Sequence, residues 1–218
     1  MTKRSAAEAV LLSAQQVRLF HTFGFLHVPD VFGDLLEAAG SAVERQAAGT
    51  RRSADGSLRM TGFVERDAVL GRLLLGDCDR LSRALSGPGM TYQGSEVVLD
   101  EAAGLWERRS PEPGTLILTC SLEQPHRTSG ALRFLPRTHL LASGWDAAED
   151  ALRDSVTKLG FSAEDVPCSI VELAPGDLVA FDPYLLHMTG GAPAGGCRVI
   201  LRYAAARPDK GGRWQSSH

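Results

Sequence analysis

The sequence predicts an α+β fold, with helices in the first half of the chain and β-strands in most of the second. Helical periodicity dominates residues 11–85, and short apolar or alternating runs separated by Gly, Pro, Ser and Asp follow it. Helices first and strands later argue against a βαβ repeat. Several short strands with turn signals between them indicate a sandwich or a jelly roll.

Three amphipathic runs bounded by turn formers predict helices over residues 11–23, 35–48 and 68–85. Gly24 ends the first, and the short apolar run Phe25–Pro29 after it predicts an edge strand closed by its proline. The polar stretch 50–59 predicts a loop, and Gly87–Gly89 ends the third helix. The first half is therefore mostly helical.

The second half contains five runs that predict strands, TLILTCSL, ALRFL, CSIVEL, DLVAF and RVILRY. Helical periodicity returns only over Trp145–Leu159. The four cysteines lack any metal-ligand spacing, which excludes a zinc finger and predicts reduced, mostly buried thiols.

The bulk composition fits one compact domain of 218 residues with 44% hydrophobic residues and a formal net charge of −3. We assign residues 1–205 to that domain and 206–218 to a polar tail. A charge near neutral gives no reason to expect nucleic acid or a membrane as a partner. No run approaches the roughly 18–20 apolar residues of a membrane span, and the N-terminus is a poor signal peptide. The expected location is the cytoplasm.

His187 stands out among the six histidines because it follows the predicted strand DLVAF, and Arg198 comes eleven residues later on the next predicted strand. A histidine at one strand end and an arginine on the neighbouring strand can face one pocket. Imidazole suits iron, and a guanidinium fork suits a carboxylate that chelates the same iron. Spacing alone leaves open a structural histidine and a surface arginine.

Four segments in matching order resemble the phytanoyl-CoA hydroxylase (phytanoyl-CoA dioxygenase) family of Fe(II)/2-oxoglutarate oxygenases. They are QQVRLFHTFGFLHVPDVF at 15–32, LSRALSGPGM at 81–90, SGALRFLPRTH at 129–139 and PGDLVAFDPYLLHMTGGAPAGGCRVILRY at 175–203. The third is similar to the family's "NGALRVIPGSH" and the fourth to its "GDLLLFD…LHGSGPN…RRALSLRY". The resemblance implies a double-stranded β-helix (a cupin-like jelly roll) with N-terminal helices packed on one sheet. It also implies Fe(II) and 2-oxoglutarate as cofactors for oxygenation of a small organic molecule.

Residue by residue, the resemblance implies that His187 is the distal iron ligand and that Arg198 grips the far carboxylate of 2-oxoglutarate. Thr189 stands where a serine usually assists that carboxylate. His139 matches a histidine typical of the family that is not a ligand, and we interpret it as structural.

The chain departs from the family at the other two iron ligands, a His-x-Asp pair early in the core, because no His-x-Asp or His-x-Glu occurs in it. Aligning Gly94-Ser95-Glu96-Val97 with the family's "GxEV" puts Asp100 at the histidine position and Ala102 at the carboxylate position. A register based on Trp106 puts Glu107 and Arg109 at those positions instead. Neither register restores the ligand set.

Three hypotheses follow from this departure. The first is an oxygenase with an unusual metal site that uses His187 and Asp100 plus an unrecognised ligand. The second is a metal-free isomerase or cyclase with Asp100, Glu107 and His187 as candidate acids and bases. The third is a non-catalytic member, either a binding protein or a partner subunit of an active paralogue. Trp106 and Arg109 are candidate substrate contacts, and the expected partner is a small molecule, for a monomer or a homodimer.

Overall fold

The computed structural model describes residues 11–100, 106, 114–122, 131–140, 166–189 and 196–206. The helix predicted over Trp145–Leu159 and the tail beyond residue 206 lie outside this set. Within it, no helix combines the length and the apolar character needed to cross a bilayer.

The three predicted helices are present as α1 (Ala14–Phe23), α2 (Leu36–Ala47) and α3 (Ala68–Ser86). Ser13 and Gln16 form a reciprocal capping box at the start of α1. Gly24 ends the helix in the left-handed conformation with φ 85°, which a residue without Cβ adopts at no steric cost. The glycine signal at the end of α1 works as predicted, whereas the helix begins at Ala14 and not at residue 11.

The described strands are β1 (Phe25–Val28), β2 (Leu58–Thr61), β3 (Met90–Leu99), β4 (Thr115–Ser121), β5 (Leu132–Phe134), β6 (Ser169–Val171), β7 (Leu178–Phe181), β8 (His187–Thr189) and β9 (Cys197–Ala205). β2 corrects the predicted loop over 50–59, whose last two residues are already in the strand. Leu58 and Met60 point into the core and alternate with exposed Arg59, which is the pattern of a strand with one buried face.

Six strands form one antiparallel sheet in the order β1-β7-β4-β9-β3-β2, and three form a second in the order β6-β5-β8. One face of the large sheet packs against the three helices through the main hydrophobic cluster. The predicted mixture of N-terminal helices and antiparallel sheet, with the helices on one sheet, is confirmed.

The opposite face of the large sheet, called here the inner face, encloses a second cluster together with the small sheet. The large sheet contributes Val98, Ile117, Val179, Phe181 and Ile200, and the small sheet Leu132, Phe134 and Val171. The rings of Phe25 and Phe134 stack at 4.7 Å between centroids. Because successive side chains of a strand alternate in direction, inner-face residues are two apart in sequence.

The Pro175-Gly176-Asp177 turn before β7 ties β1 to β7. The carboxylate of Asp177 accepts hydrogen bonds from His27 Nε2 at 2.8 Å, from the backbone N–H of Asp30 at 2.9 Å and from that of Ala174 at 3.0 Å. These contacts satisfy a buried carboxylate, so burying Asp177 does not leave an unpaired charge.

Candidate functional site

His187 begins β8 and is 5% exposed. Its Nδ1 lies 2.8 Å from the carbonyl oxygen of Leu185. Because a carbonyl oxygen only accepts, this contact places the proton of the neutral ring on Nδ1 and the lone pair on Nε2. The ring centroid is 4.8 Å from that of Phe181, so His187 faces the inner cluster.

The chain just before His187 is held by the segment that follows β5. The backbone N–H of Leu186 donates to Thr138 Oγ1 at 2.9 Å, and the carbonyl of Leu186 accepts from the N–H of Leu135 at 2.9 Å. The neighbouring His139 contacts the carbonyl oxygen of His21 at 3.2 Å through Nε2, and this joins α1 to the same segment.

Arg198 lies on β9 and is 5% exposed. Its register partners are Val98 on β3 and Ser121 on β4. Val98 belongs to the inner cluster, so Arg198 occupies the inner face. The structure therefore brings His187 and Arg198 to the two faces that enclose one cluster, and Thr189 lies on β8 in register with Leu132.

Asp100 follows β3 in the left-handed conformation with φ 52°. Its carboxylate pairs with Arg52 Nη1 at 2.8 Å, and its side chain is 41% exposed. Arg52 Nη1 also donates to the carbonyl of Gly56 at 2.6 Å. In the structure Asp100 thus binds the loop before β2, and its role at a metal or in catalysis remains a prediction.

Trp106 is buried against Leu186 and Met188. Met188 and His187 are successive residues of β8 and point to opposite sides of the strand. Trp106 therefore packs on the side of β8 away from His187. Ala102, Glu107 and Arg109 lie outside the described residues. The substrate contacts predicted for Trp106 and Arg109 remain predictions.

A charged cluster that the sequence did not reveal lies on the inner face beside these residues. Glu96 accepts from Arg202 Nη2 at 2.6 Å and from Arg59 Nη1 at 3.2 Å. Burial by itself raises the pKa of Glu96, but hydrogen bonds and charge attraction from the two arginines outweigh it and lower that pKa. Alternation in RVILRY, which puts Arg202 on the same face as Arg198, was the available signal.

The two implied cofactors, iron and 2-oxoglutarate, need different donor sets. Iron in a two-histidine, one-carboxylate site needs three protein ligands, and the described residues contain no group of three or more His, Cys, Asp or Glu side chains able to hold a metal. With no His-x-Asp pair in the sequence, the donors among the described residues do not supply the three ligands by which the family holds iron. Arg198 does fit a carboxylate, because its fork matches one bidentately.

Comparison with known proteins supports the same fold. Residues 20–198 match the family described as Phytanoyl-CoA dioxygenase (PhyH). The non-heme alpha ketoglutarate dependent carbocyclase SnoK from nogalamycin biosynthesis superposes with a TM-score of 0.72 at 20% identity, covering 94% of this chain and 88% of that one. No curated protein sequence matches the chain.

Two Streptomyces structures are similarly close. AviO1 from Streptomyces viridochromogenes Tue57 has a TM-score of 0.70 at 23% identity, covering 92% of this chain and 98% of its own. HygX from Streptomyces hygroscopicus, solved with nickel and 2-oxoglutarate, has a TM-score of 0.68 at 18% identity, covering 90% and 88%. At these identities the likeness shows the fold, while the family match spans most of the sequence. The chain belongs to the phytanoyl-CoA dioxygenase family.

Proposed function

We propose that this protein binds 2-oxoglutarate or a related small carboxylate at Arg198, and converts a small organic molecule at His187 without the iron site of its family. The two sheets then form the family's double-stranded β-helix, with the ligands between them. The observation that carries the proposal is the placement of buried Arg198 and His187 on the two faces that enclose one cluster.

Arg198 supports the carboxylate part of the proposal. Charge-assisted bidentate contacts between a guanidinium and a carboxylate are among the strong hydrogen bonds in proteins, and the planar fork of Arg198 matches the two oxygens of a carboxylate. Thr189, at the family's assisting position, adds a hydroxyl of the kind that hydrogen-bonds to a carboxylate.

His187 supports the catalytic part. With Nδ1 donating to Leu185, Nε2 carries the lone pair and can take a proton from a substrate C–H or O–H and return it at another atom. The same hydrogen bond fixes the orientation of the ring. Such a proton transfer suits an isomerase or a cyclase.

The structural neighbours support a natural-product substrate. SnoK is described as a carbocyclase and SnoN, which superposes with a TM-score of 0.68, as an epimerase, both from nogalamycin biosynthesis. Both are described as non-heme alpha ketoglutarate dependent enzymes. We propose the same substrate class for this chain.

A second candidate is the nominal family activity, Fe(II)/2-oxoglutarate-dependent oxygenation. The His187 tautomer favours it, because metal-ligating histidines commonly donate their other ring N–H to a backbone carbonyl. It needs two further ligands, and Asp100 is engaged with Arg52 in the structure.

The test is an anaerobic titration of the metal-free protein with 2-oxoglutarate, with and without Fe(II), followed by calorimetry and visible absorption. We expect 2-oxoglutarate to bind without iron, Arg198→Gln to abolish that binding, and the exposed Arg45→Gln to leave it unchanged. Tight iron binding with a chelate absorption band makes oxygenation the function instead. Absence of 2-oxoglutarate binding under both conditions contradicts the proposal and favours a non-catalytic partner subunit.

A further inference from the structure

Arg202 lies at the level of His187 along the inner face. On β9 it is in register with Ile117 on β4, which is in register with Phe181 on β7. The ring of Phe181 is 4.8 Å from that of His187 between centroids. With strands spaced by about 4.8 Å, the Cα atoms of Arg202 and Phe181 are about 10 Å apart.

Arg198 lies at a different level of the same face. It precedes Arg202 by four residues on β9, which is about 13 Å along a strand. A carboxylate bound at Arg198 and an anion bound at Arg202 therefore occupy two places. Of these two anion positions, the one at Arg202 is level with His187 along the inner face.

One nitrogen of the Arg202 guanidinium is anchored by a carboxylate, and the Arg202 side chain is partly exposed. Its Nη2 donates to Glu96, whose side chain is 9% exposed, whereas that of Arg202 is 33% exposed. Among the described residues Glu96 is its one polar contact. A guanidinium carries five N–H donors in a planar fork, so most of the fork is available to a ligand.

Glu96 positions the Arg202 guanidinium. It anchors Arg202 at 2.6 Å and also contacts Arg59 at 3.2 Å from the other side. This holds the Arg202 fork in place on the inner face. An anchored, partly exposed fork loses less side-chain entropy on binding than a mobile one.

We propose that Arg202 is the substrate's anion-binding residue and that the substrate is a small organic molecule carrying a carboxylate. The carboxylate accepts from the Arg202 fork while the body of the molecule reaches His187 past Ile117 and Phe181. This inference rests on the proposed function, because it assumes that His187 is where the substrate is converted.

The test uses benzoate as the probe, with benzamide as its uncharged counterpart and phenyl phosphate as the phosphate counterpart. Each is titrated by NMR at fixed ionic strength, with and without 2-oxoglutarate. We expect saturable benzoate binding that benzamide does not reproduce and that 2-oxoglutarate does not displace. Arg202→Gln is expected to weaken it by about tenfold or more, and Arg45→Gln not at all.

Two further variants complete the test. Glu96→Gln keeps an oxygen acceptor for Arg202 but removes the competing charge, so benzoate should bind about threefold tighter or more. Arg202→Lys keeps the positive charge but lacks the guanidinium fork, so it should weaken benzoate binding. This variant replaces Arg202→Gln if the glutamine variant does not fold. Unchanged binding in the Arg202 variants, weaker binding in Glu96→Gln, or a preference for phenyl phosphate overturns the proposal. If the native protein binds benzoate but does not bind 2-oxoglutarate, the proposed function is overturned instead.

Discussion

Leu185 and His187 form a contact that sets the tautomer of the candidate catalytic histidine, because the carbonyl oxygen of the first lies 2.8 Å from Nδ1 of the second. The neutral ring therefore carries its proton on Nδ1. Whether Nε2 serves as a base or as a metal ligand, it is this tautomer that places the lone pair on Nε2.

We expect ¹⁵N NMR of the histidine rings to show His187 as the Nδ1–H tautomer when neutral, with Nε2 unprotonated. Comparison with His187→Gln identifies the signal. The exposed His21 serves as a reference, because it has no ring hydrogen bond among the described contacts. An Nε2–H signal from His187 would contradict the assignment.

Asp100 gives a prediction about its contact with Arg52. Because the pair is exposed, Asp100→Asn should lower the free energy of unfolding by no more than about 1 kcal/mol. Asp100→Ala should cost a further 1–2 kcal/mol, roughly, because φ is 52° and alanine tolerates the left-handed region poorly. Urea denaturation measures both changes. Asp100→Gly is the control, because it removes the ion pair with Arg52 while glycine still adopts the left-handed conformation without strain. An alanine variant as stable as the glycine variant would exclude the backbone effect.

Gly176 and Gly87 distinguish two reasons why a position requires glycine, namely a positive φ and a lack of space for a Cβ atom. Both have positive φ, 89° and 103°, so alanine costs about 1–2 kcal/mol at either position from the backbone alone. A Cβ at Gly176 also lies 2.9 Å from the backbone N of Gly33, whereas one at Gly87 has nothing within 4 Å. We expect Gly176→Ala to lower the melting temperature clearly more than Gly87→Ala. Equal losses would mean that the Gly33 segment moves aside without cost.

Local signals in the sequence predicted most of the helices and the later strands. Gly24 ends α1 because the backbone there needs φ 85°, and that requirement is readable from one residue. β2 was missed because its four residues follow a polar loop and give only two alternations. Its stability comes from pairing with β3, which is a tertiary contact.

The candidate site likewise contains residues that the sequence predicted and residues that it did not. His187 and Arg198 were predicted because family motifs surround them. Glu96 and Arg202 were not, because they are 106 positions apart and meet only through the pairing of β3 with β9. Asp100 was predicted from an alignment, and nothing in its neighbours along the chain indicates the pairing with Arg52.

The Glu96 cluster predicts how stability depends on pH. Its pKa in the folded protein is lower than the ordinary glutamate value of 4.5, because contacts with Arg202 and Arg59 outweigh the effect of burial. A depressed carboxyl pKa means that the unfolded chain binds the proton more readily. The stabilisation is therefore complete above the unfolded pKa and is lost as the pH falls through the folded pKa.

Glu96→Gln removes this contribution, so the variant should be less stable than the native protein at pH 7. The difference in free energy of unfolding should shrink once the pH falls below the ordinary glutamate value of 4.5, and should vanish in stronger acid. Urea denaturation across this range measures it, with Glu44→Gln on the exposed side of α2 as the matched control. A difference that stays constant with pH would mean that Glu96 stabilises the fold through shape and packing, because only an ionised carboxylate makes the contribution depend on protonation.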